Sequence, residues 1–225
     1  MSTEPGATLP VLYSFRRCPY AMRARLALRV SQQVCALREV VLADKPAALL
    51  AASPKATVSV LVLPSGQVID QSLAIMQWAL QQHDPEHWLP VDEQLGLSLR
   101  LVAQCDGEFK QNLDRYKYPQ RYAQAATDAQ PAPHAARERG AEWLEQLETL
   151  LQASAYLAGQ HFSLADAALA PFVRQFAHTD PAWFARRPWP GLQRWLATFE
   201  NSAAFDAVMK KHRPWSPDQA TVLFP

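Results

Sequence analysis

The patterning of this chain changes once, and that change limits the folds open to it. Up to about residue 82, short β-rich runs alternate with helical patterns; from about residue 92 onward only helical patterns occur. Val11 to Phe15 reads as a short strand that breaks at Arg16-Arg17-Cys18-Pro19. Met22, Leu26 and Val30 then recur at helical spacing. Leu37 to Leu42 reads as a second strand, and Pro46 opens a short helix over Ala47 to Ala52. Val58 to Leu63 and Gln67 to Ile69 flank Pro64-Ser65-Gly66, whose residues favour a tight hairpin turn. Ser72 is expected to cap a helix in which Leu73, Met76 and Leu80 share one face.

The order β-α-β-α-β-β-α is that of a thioredoxin-like α/β domain, and the remainder of the chain is expected to form an all-α domain. The boundaries fall at 1–83 for the first domain, 84–92 for a linker carrying Pro85 and Pro90, and 93–225 for the second. Helical patterns cover 93–113, 134–152, 163–177 and 191–201. In the last, Leu192, Trp195, Leu196 and Phe199 form an apolar stripe, the mark of a core-facing helix. Pro171 lies inside the third pattern and is expected to kink it or shift its ends. Ala123 to Ala136, rich in Ala, Gln and Pro, reads as a loop.

Charge excludes two classes of partner. With 22 basic against 21 acidic side chains in 225 residues, the net charge is +1, and neither nucleic acid nor an anionic membrane surface is favoured. Arg115-Tyr116-Lys117-Tyr118-Pro119-Gln120-Arg121-Tyr122 interleaves bases and aromatics, but no wider basic stripe extends it. No apolar run approaches the ~18 residues of a membrane span, and Met1 to Pro10 lacks the pattern of a secretory signal. Three cysteines make no disulfide framework in a chain of this length, so a cytoplasmic, reducing location is expected.

In that setting one thiol stands out. Cys18 follows a strand and precedes a helix opened by Pro19. A thiol there meets unpaired backbone N–H groups and the positive end of the helix dipole, and Arg16, Arg17 and Arg23 are close in sequence. These features favour the thiolate, the nucleophilic form. Position 21 is alanine, so no internal Cys-x-x-Cys disulfide can form, and redox chemistry must run through a mixed disulfide with an outside thiol. Cys35 and Cys105 lack such a setting and read as packing residues. No metal site is indicated.

Cys18-Pro19-Tyr20-Ala21 resembles the active-site run of omega-class and omega-like glutathione transferases. Further segments support the resemblance: Asp44-Lys45-Pro46, Ser53-Pro54-Lys55-Ala56-Thr57-Val58-Ser59-Val60-Leu61 and Asp70-Gln71-Ser72-Leu73-Ala74-Ile75. In the helical half, the segment from Gly159 to Leu169 resembles the family's capping box, with Ser163 and Asp166 as the Ser-x-x-Asp pair. Residues 107–140 match nothing specific.

The resemblance implies a glutathione site. Cys18 would face the glutathione sulfur, Lys45 the glycyl carboxylate, and the Val58 backbone the cysteinyl unit. Gln71 and Ser72 would hold the γ-glutamyl end. Tyr20, Phe109 and Tyr116 are candidates for a second-substrate pocket. Two positions depart from the family. Gln71 stands where omega-like proteins usually carry glutamate, and Ser59 where nearly all members carry a cis proline. Because serine forms a secondary amide, a trans bond before Ser59 is expected.

The expected activity is glutathione-dependent thiol transfer or reduction, dehydroascorbate reduction included, with a small electrophilic or disulfide substrate and glutathione as co-substrate. Two alternatives stand beside it. One is glutathione conjugation aided by a hydroxyl such as that of Tyr13 or Ser14; the other is a non-catalytic binding protein on the same fold. The resemblance also implies a homodimer.

Overall fold

The computed structural model describes residues 9–122 and 133–225, which divide into two compact units. The first comprises the chain up to Leu89 together with Ser202–Pro225, and the second Pro90–Asn201.

In the first unit, β1 (Val11–Ser14) leads into α1 (Pro19–Val30), β2 (Cys35–Glu39), α2 (Ala47–Ala52), β3 (Val60–Val62), β4 (Val68–Ile69) and α3 (Ser72–Gln82). The expected element order is present. β1 runs parallel to β2 and antiparallel to β3, and β4 closes the hairpin on β3. The turn of that hairpin has Gly66 at φ 85°, a conformation in which a Cβ would be strained. β1 is buried at Leu12, Tyr13 and Ser14, as a strand at the centre of a sheet must be. Helices α1 and α3 pack together through Leu26, Ile75, Met76 and Ala79, all at most 1% exposed.

Two features of this unit differ from the sequence expectation. The linker expected at 84–92 is in part an ordered end of the first unit. Asp84 accepts hydrogen bonds from the backbone N–H groups of Trp88 and Leu89, both at 2.8 Å, and Trp88 is 3% exposed. The second domain, expected to run to residue 225, stops at Asn201. Beyond it, α10 (Ala203–Met209) packs on α1, and β5 (Val222–Phe224) pairs antiparallel with β2. The sheet therefore has five strands in the order β4-β3-β1-β2-β5. A three-residue strand at a sheet edge is too short to leave a periodic signal; it forms because β2 offers it an open row of backbone groups.

The second unit contains α4 (Asp92–Gln104), α5 (Lys110–Lys117), α6 (Pro133–Ala153), α7 (Leu164–Ala177), α8 (Pro181–Ala185) and α9 (Pro190–Glu200). A π-turn at Cys105–Phe109 joins α4 to α5, where Gly107 leaves helical geometry at ψ −109°. A 3₁₀ turn succeeds α5 at Pro119–Arg121. The loop expected at 123–136 lies mostly outside the described residues, but Pro133 to Ala136 already belong to α6. α7 runs on through Pro171, so the expected shift of its ends does not occur. All its residues except Arg174 and Gln175 are buried, and packing on every side offsets the proline's missing N–H. The short α8 is set by its own geometry rather than by periodicity: the Asp180 carboxylate caps its start, accepting from Trp183 N–H at 2.9 Å.

The start of α7 is densely hydrogen-bonded. Asp166, fully buried, accepts from Leu157 N–H (3.0 Å), Ser163 N–H (2.9 Å), the Ser163 hydroxyl (3.0 Å) and the Trp195 indole (2.8 Å). Burial pushes its carboxyl above the usual range, and the four donors oppose that shift.

Nearby, α6 and α7 approach so closely that Gly140 has no room for a side chain. A Cβ there would lie 2.6 Å from Phe176 Cε2. Phe176 is itself fixed between Phe109, Tyr116 and Trp183, with ring centroids 5.1–6.0 Å away. Gly140→Ala is therefore expected to destabilise the protein by about 1–2 kcal/mol, the cost of overpacking less the helix-propensity gain. Thermal melting tracked by circular dichroism checks this; an unchanged or raised midpoint would contradict it.

Candidate active site

Cys18 occupies the N-cap of α1, with extended backbone (φ −78°, ψ 122°) and Pro19 at the first helical position. Its carbonyl accepts the first helical bond from Met22 N–H at 2.9 Å. No acidic residue lies in the first turn of α1 to oppose an anion at this end. The thiol is half-buried and packs against a cluster formed by Tyr13, Val40, Leu49, Val58 and Val60. Its sulfur lies 4.0 Å from the Val58 carbonyl oxygen. Two of the sequence-derived site residues, Cys18 and Val58, are thus brought together.

The Val58–Ser59 peptide bond is cis, which corrects the trans expectation. Tertiary packing decides the isomer here. Ser59 is 3% exposed between α1 and β3, and its hydroxyl donates to the Tyr20 carbonyl at 3.5 Å. Local amide chemistry, the basis of the expectation, does not see those neighbours.

Ser72 is placed differently from its expected role as a cap. Gln71 takes the cap position of α3 with no side-chain cap bond, and Ser72 is the first helical residue. The Ser72 hydroxyl instead accepts from Arg23 Nε at 2.9 Å, which ties the start of α3 to the helix preceded by Cys18. Gln71 beside it is exposed, and Lys45 is half-buried just after the Val41–Asp44 bridge. Asp70 braces the approach to Val58, pairing with Lys55 Nζ (3.1 Å) and accepting from the Ser53 hydroxyl (3.3 Å). Asp70 and Lys55 both lie in the segments that carry the resemblance, yet their separation of 15 residues holds no signal of this pairing.

The candidates for the second substrate belong to different units. Tyr20, half-buried on α1, has the Arg23 guanidinium 4.9 Å from its ring centroid. Phe109 is 2% exposed, and its ring is tilted by 36° against that of Trp143 with centroids 4.3 Å apart. The rings of Phe109 and Trp143 line a cavity of about 170 Å³ rimmed by Glu108, Asn112, Arg139 and Glu142. Tyr116 packs its ring on Phe176, with its hydroxyl buried, and burial raises its phenol above the usual value.

The hydroxyls considered for conjugation are both enclosed. Tyr13 is 3% exposed, its oxygen accepts from Arg38 at 2.5 Å, and its ring meets Trp215 edge-on. Ser14 is fully buried. No disulfide joins the three cysteines, and burial pushes the Cys35 thiol up to about 12. Among the described residues no cluster of His, Cys, Asp and Glu could hold a metal ion, and no helix is long and apolar enough to cross a membrane.

Comparison with known families agrees with this geometry. The family described as glutathione S-transferase, N-terminal domain, matches residues 12–87, and glutathione S-transferase, C-terminal domain, matches residues 116–203. The chain belongs to the glutathione transferase superfamily. Solved structures of similar fold include a glutathione S-transferase from Rhodospirillum rubrum, 22% identical, with TM-score 0.72 over 94% of this chain and 96% of that one. FzlA from C. crescentus is 22% identical, with TM-score 0.73 over 96% of each chain. A glutathione transferase family member from Pseudomonas fluorescens, with two glutathione bound, is 14% identical, with TM-score 0.76 over 92% of this chain and 94% of that one. At such identities the likeness speaks to the fold. A search of curated proteins found no match. Membership rests on both domains.

Proposed function

We propose that this transferase is an omega-like, glutathione-dependent thiol transferase acting through Cys18. One observation carries the reading: of the three groups considered as reacting centres, Cys18 is half-buried at a helix N-terminus, whereas Tyr13 and Ser14 are enclosed. The Cys18 thiolate attacks the glutathione-side sulfur of a mixed disulfide between substrate and glutathione. The substrate leaves as a thiolate, and Cys18 is joined to glutathione. A second glutathione thiolate then attacks the glutathionyl sulfur, releasing oxidised glutathione and restoring the Cys18 thiolate. Each step forms one S–S bond and breaks one, and the incoming free glutathione is the reductant, its sulfur ending in oxidised glutathione together with the glutathionyl group of the substrate.

Lys45, the Val58 backbone, Gln71 and Ser72 are the residues proposed to hold glutathione, with Tyr20, Phe109 and Tyr116 toward the second substrate. A cytoplasmic homodimer completes the reading. Retention on immobilised glutathione, and then mass spectrometry for a glutathione adduct on Cys18, tests it. Alkylation at neutral pH is expected to reach Cys18 well before Cys35 and Cys105, both fully buried. No adduct, or equal labelling of the three thiols in the native protein, would overturn the proposal.

A further inference from the structure

Behind the candidate thiol lies a buried charged cluster that the proposed reaction does not use. Arg25 is on α1, seven residues after Cys18, and only 1% exposed. Side chains on a helix lean toward its N-terminus, and a long arginine covers the turns ahead of its own Cα. The Arg25 guanidinium accordingly donates to the Arg16 carbonyl at 3.0 Å, two residues before Cys18.

The carboxylate that pairs with it stands off. Glu39, on β2, is 3.9 Å away, and its nearer oxygen has no hydrogen bond, while its other oxygen accepts from Arg16 N–H at 2.8 Å. Arg25 Nε also has no hydrogen-bond partner among the described residues. Buried charges are ordinarily paired and fully bonded, because desolvation otherwise goes uncompensated. The C-terminal segment closes the cluster: Arg16 donates to the Met209 carbonyl at 3.3 Å, and Trp215 N–H to the Glu39 carbonyl at 2.9 Å. His212, on the same segment, is held below its usual value by burial and by the charges of Arg25 and Lys210. Burial lowers the Arg25 guanidinium to about 10, against the fields of Glu39 and Cys18 that favour its charge, while Arg16 repels it. The charged and titratable groups coupled to Arg25 are therefore Glu39 and Arg16, which it meets directly, and Cys18 and His212, which share its field.

We infer that Arg25 is a positioning residue for the Cys18 chemistry. Its buried guanidinium fixes the loop that carries the thiol and supplies, at neutral pH, a positive charge that stabilises the Cys18 sulfur anion. The inference rests on the reading of Cys18 as the reacting thiol. It also gives the loose Arg25–Glu39 pair a physical sense, since a tight partner would neutralise the field that the thiolate feels.

The test is the pH dependence of Cys18 alkylation by iodoacetamide in the full chain, read by mass spectrometry of the Cys18 peptide. For the unmodified protein the midpoint is expected below the ~8.5 of an ordinary thiol. Arg25→Met is expected to raise it by about one pH unit, so that the reaction at pH 7 slows roughly ten-fold. Arg25→Lys keeps the charge and is expected to recover part of the loss. Glu39→Gln removes the competing carboxylate yet keeps an acceptor for Arg16 N–H, and is expected to lower the midpoint further. A depressed midpoint that Arg25→Met leaves unchanged would overturn the role of Arg25 and spare that of Cys18. An ordinary midpoint in the unmodified protein would overturn both. Where Arg25→Met fails to fold, Glu39→Gln decides: a midpoint unchanged or raised would refute the inference.

Discussion

Replacing Cys18 by serine is expected to lower thiol–disulfide exchange roughly a thousand-fold or more, as removal of a covalent nucleophile does. A hydroxyl at this position cannot form the mixed disulfide, and no second cysteine is placed to substitute. Cys35 and Cys105 are fully buried, and position 21 is alanine. The fold is expected to survive. Serine favours the extended N-cap geometry that Cys18 already has, and its oxygen can accept a first-turn N–H where the cysteine makes no cap bond. The melting temperature should therefore stay within a few degrees while turnover vanishes. The assay is glutathione-coupled reduction of a small disulfide, run beside a thermal melt. Unchanged turnover in the folded variant would exclude the thiol mechanism. Loss of the fold would show that Cys18 is held for packing.

The largest effect on stability is expected at Asp166. Asp166→Ala removes four accepted hydrogen bonds at once and leaves the Trp195 indole and the N–H groups of Leu157 and Ser163 buried without their acceptor. An orphaned buried donor costs about 1–3 kcal/mol, so a loss of about 3–5 kcal/mol is expected. In a chain of this size that lowers the melting temperature by roughly 10 °C or more. Asp166→Asn keeps one acceptor oxygen but turns an NH₂ group toward donors, and is expected to fall between. Chemical denaturation gives the free energies. A loss under about 1 kcal/mol for the alanine variant would mean that water or a rearranged side chain replaces the carboxylate.

The two residues share one route from sequence to structure. Asp166 was legible because a capping box is local: Ser163 and Asp166 are three residues apart, and the bonds between them come from helix geometry. Cys18 was legible for the same reason, since a strand, a proline and a helix pattern in succession place it at an N-terminus. The order of the first seven elements was also written locally, in turn residues and apolar period.

What the sequence left open depends on groups far apart along the chain. Trp195 reaches Asp166 across 29 residues, Arg23 reaches Ser72 across 49, and Met209 receives Arg16 across 193. None of these spacings matches a periodicity. The Ser72 hydroxyl could equally have capped its own helix; only the buried Arg23 beside it decided otherwise. The cis bond before Ser59 and the unbroken helix through Pro171 are of the same kind, since local preference opposed both and enclosing side chains prevailed. The strand Val222–Phe224 is the extreme case, because three residues become a strand only where β2 presents an open edge. The sequence alone thus determined the element order, the two patterned regions and the position of the thiol, all consequences of short-range sterics and hydrogen bonding. Tertiary structure alone decided the return of the C-terminal segment to the first unit and the buried Arg25–Glu39 cluster. Both are contacts whose free energy exists only once distant parts of the chain have met.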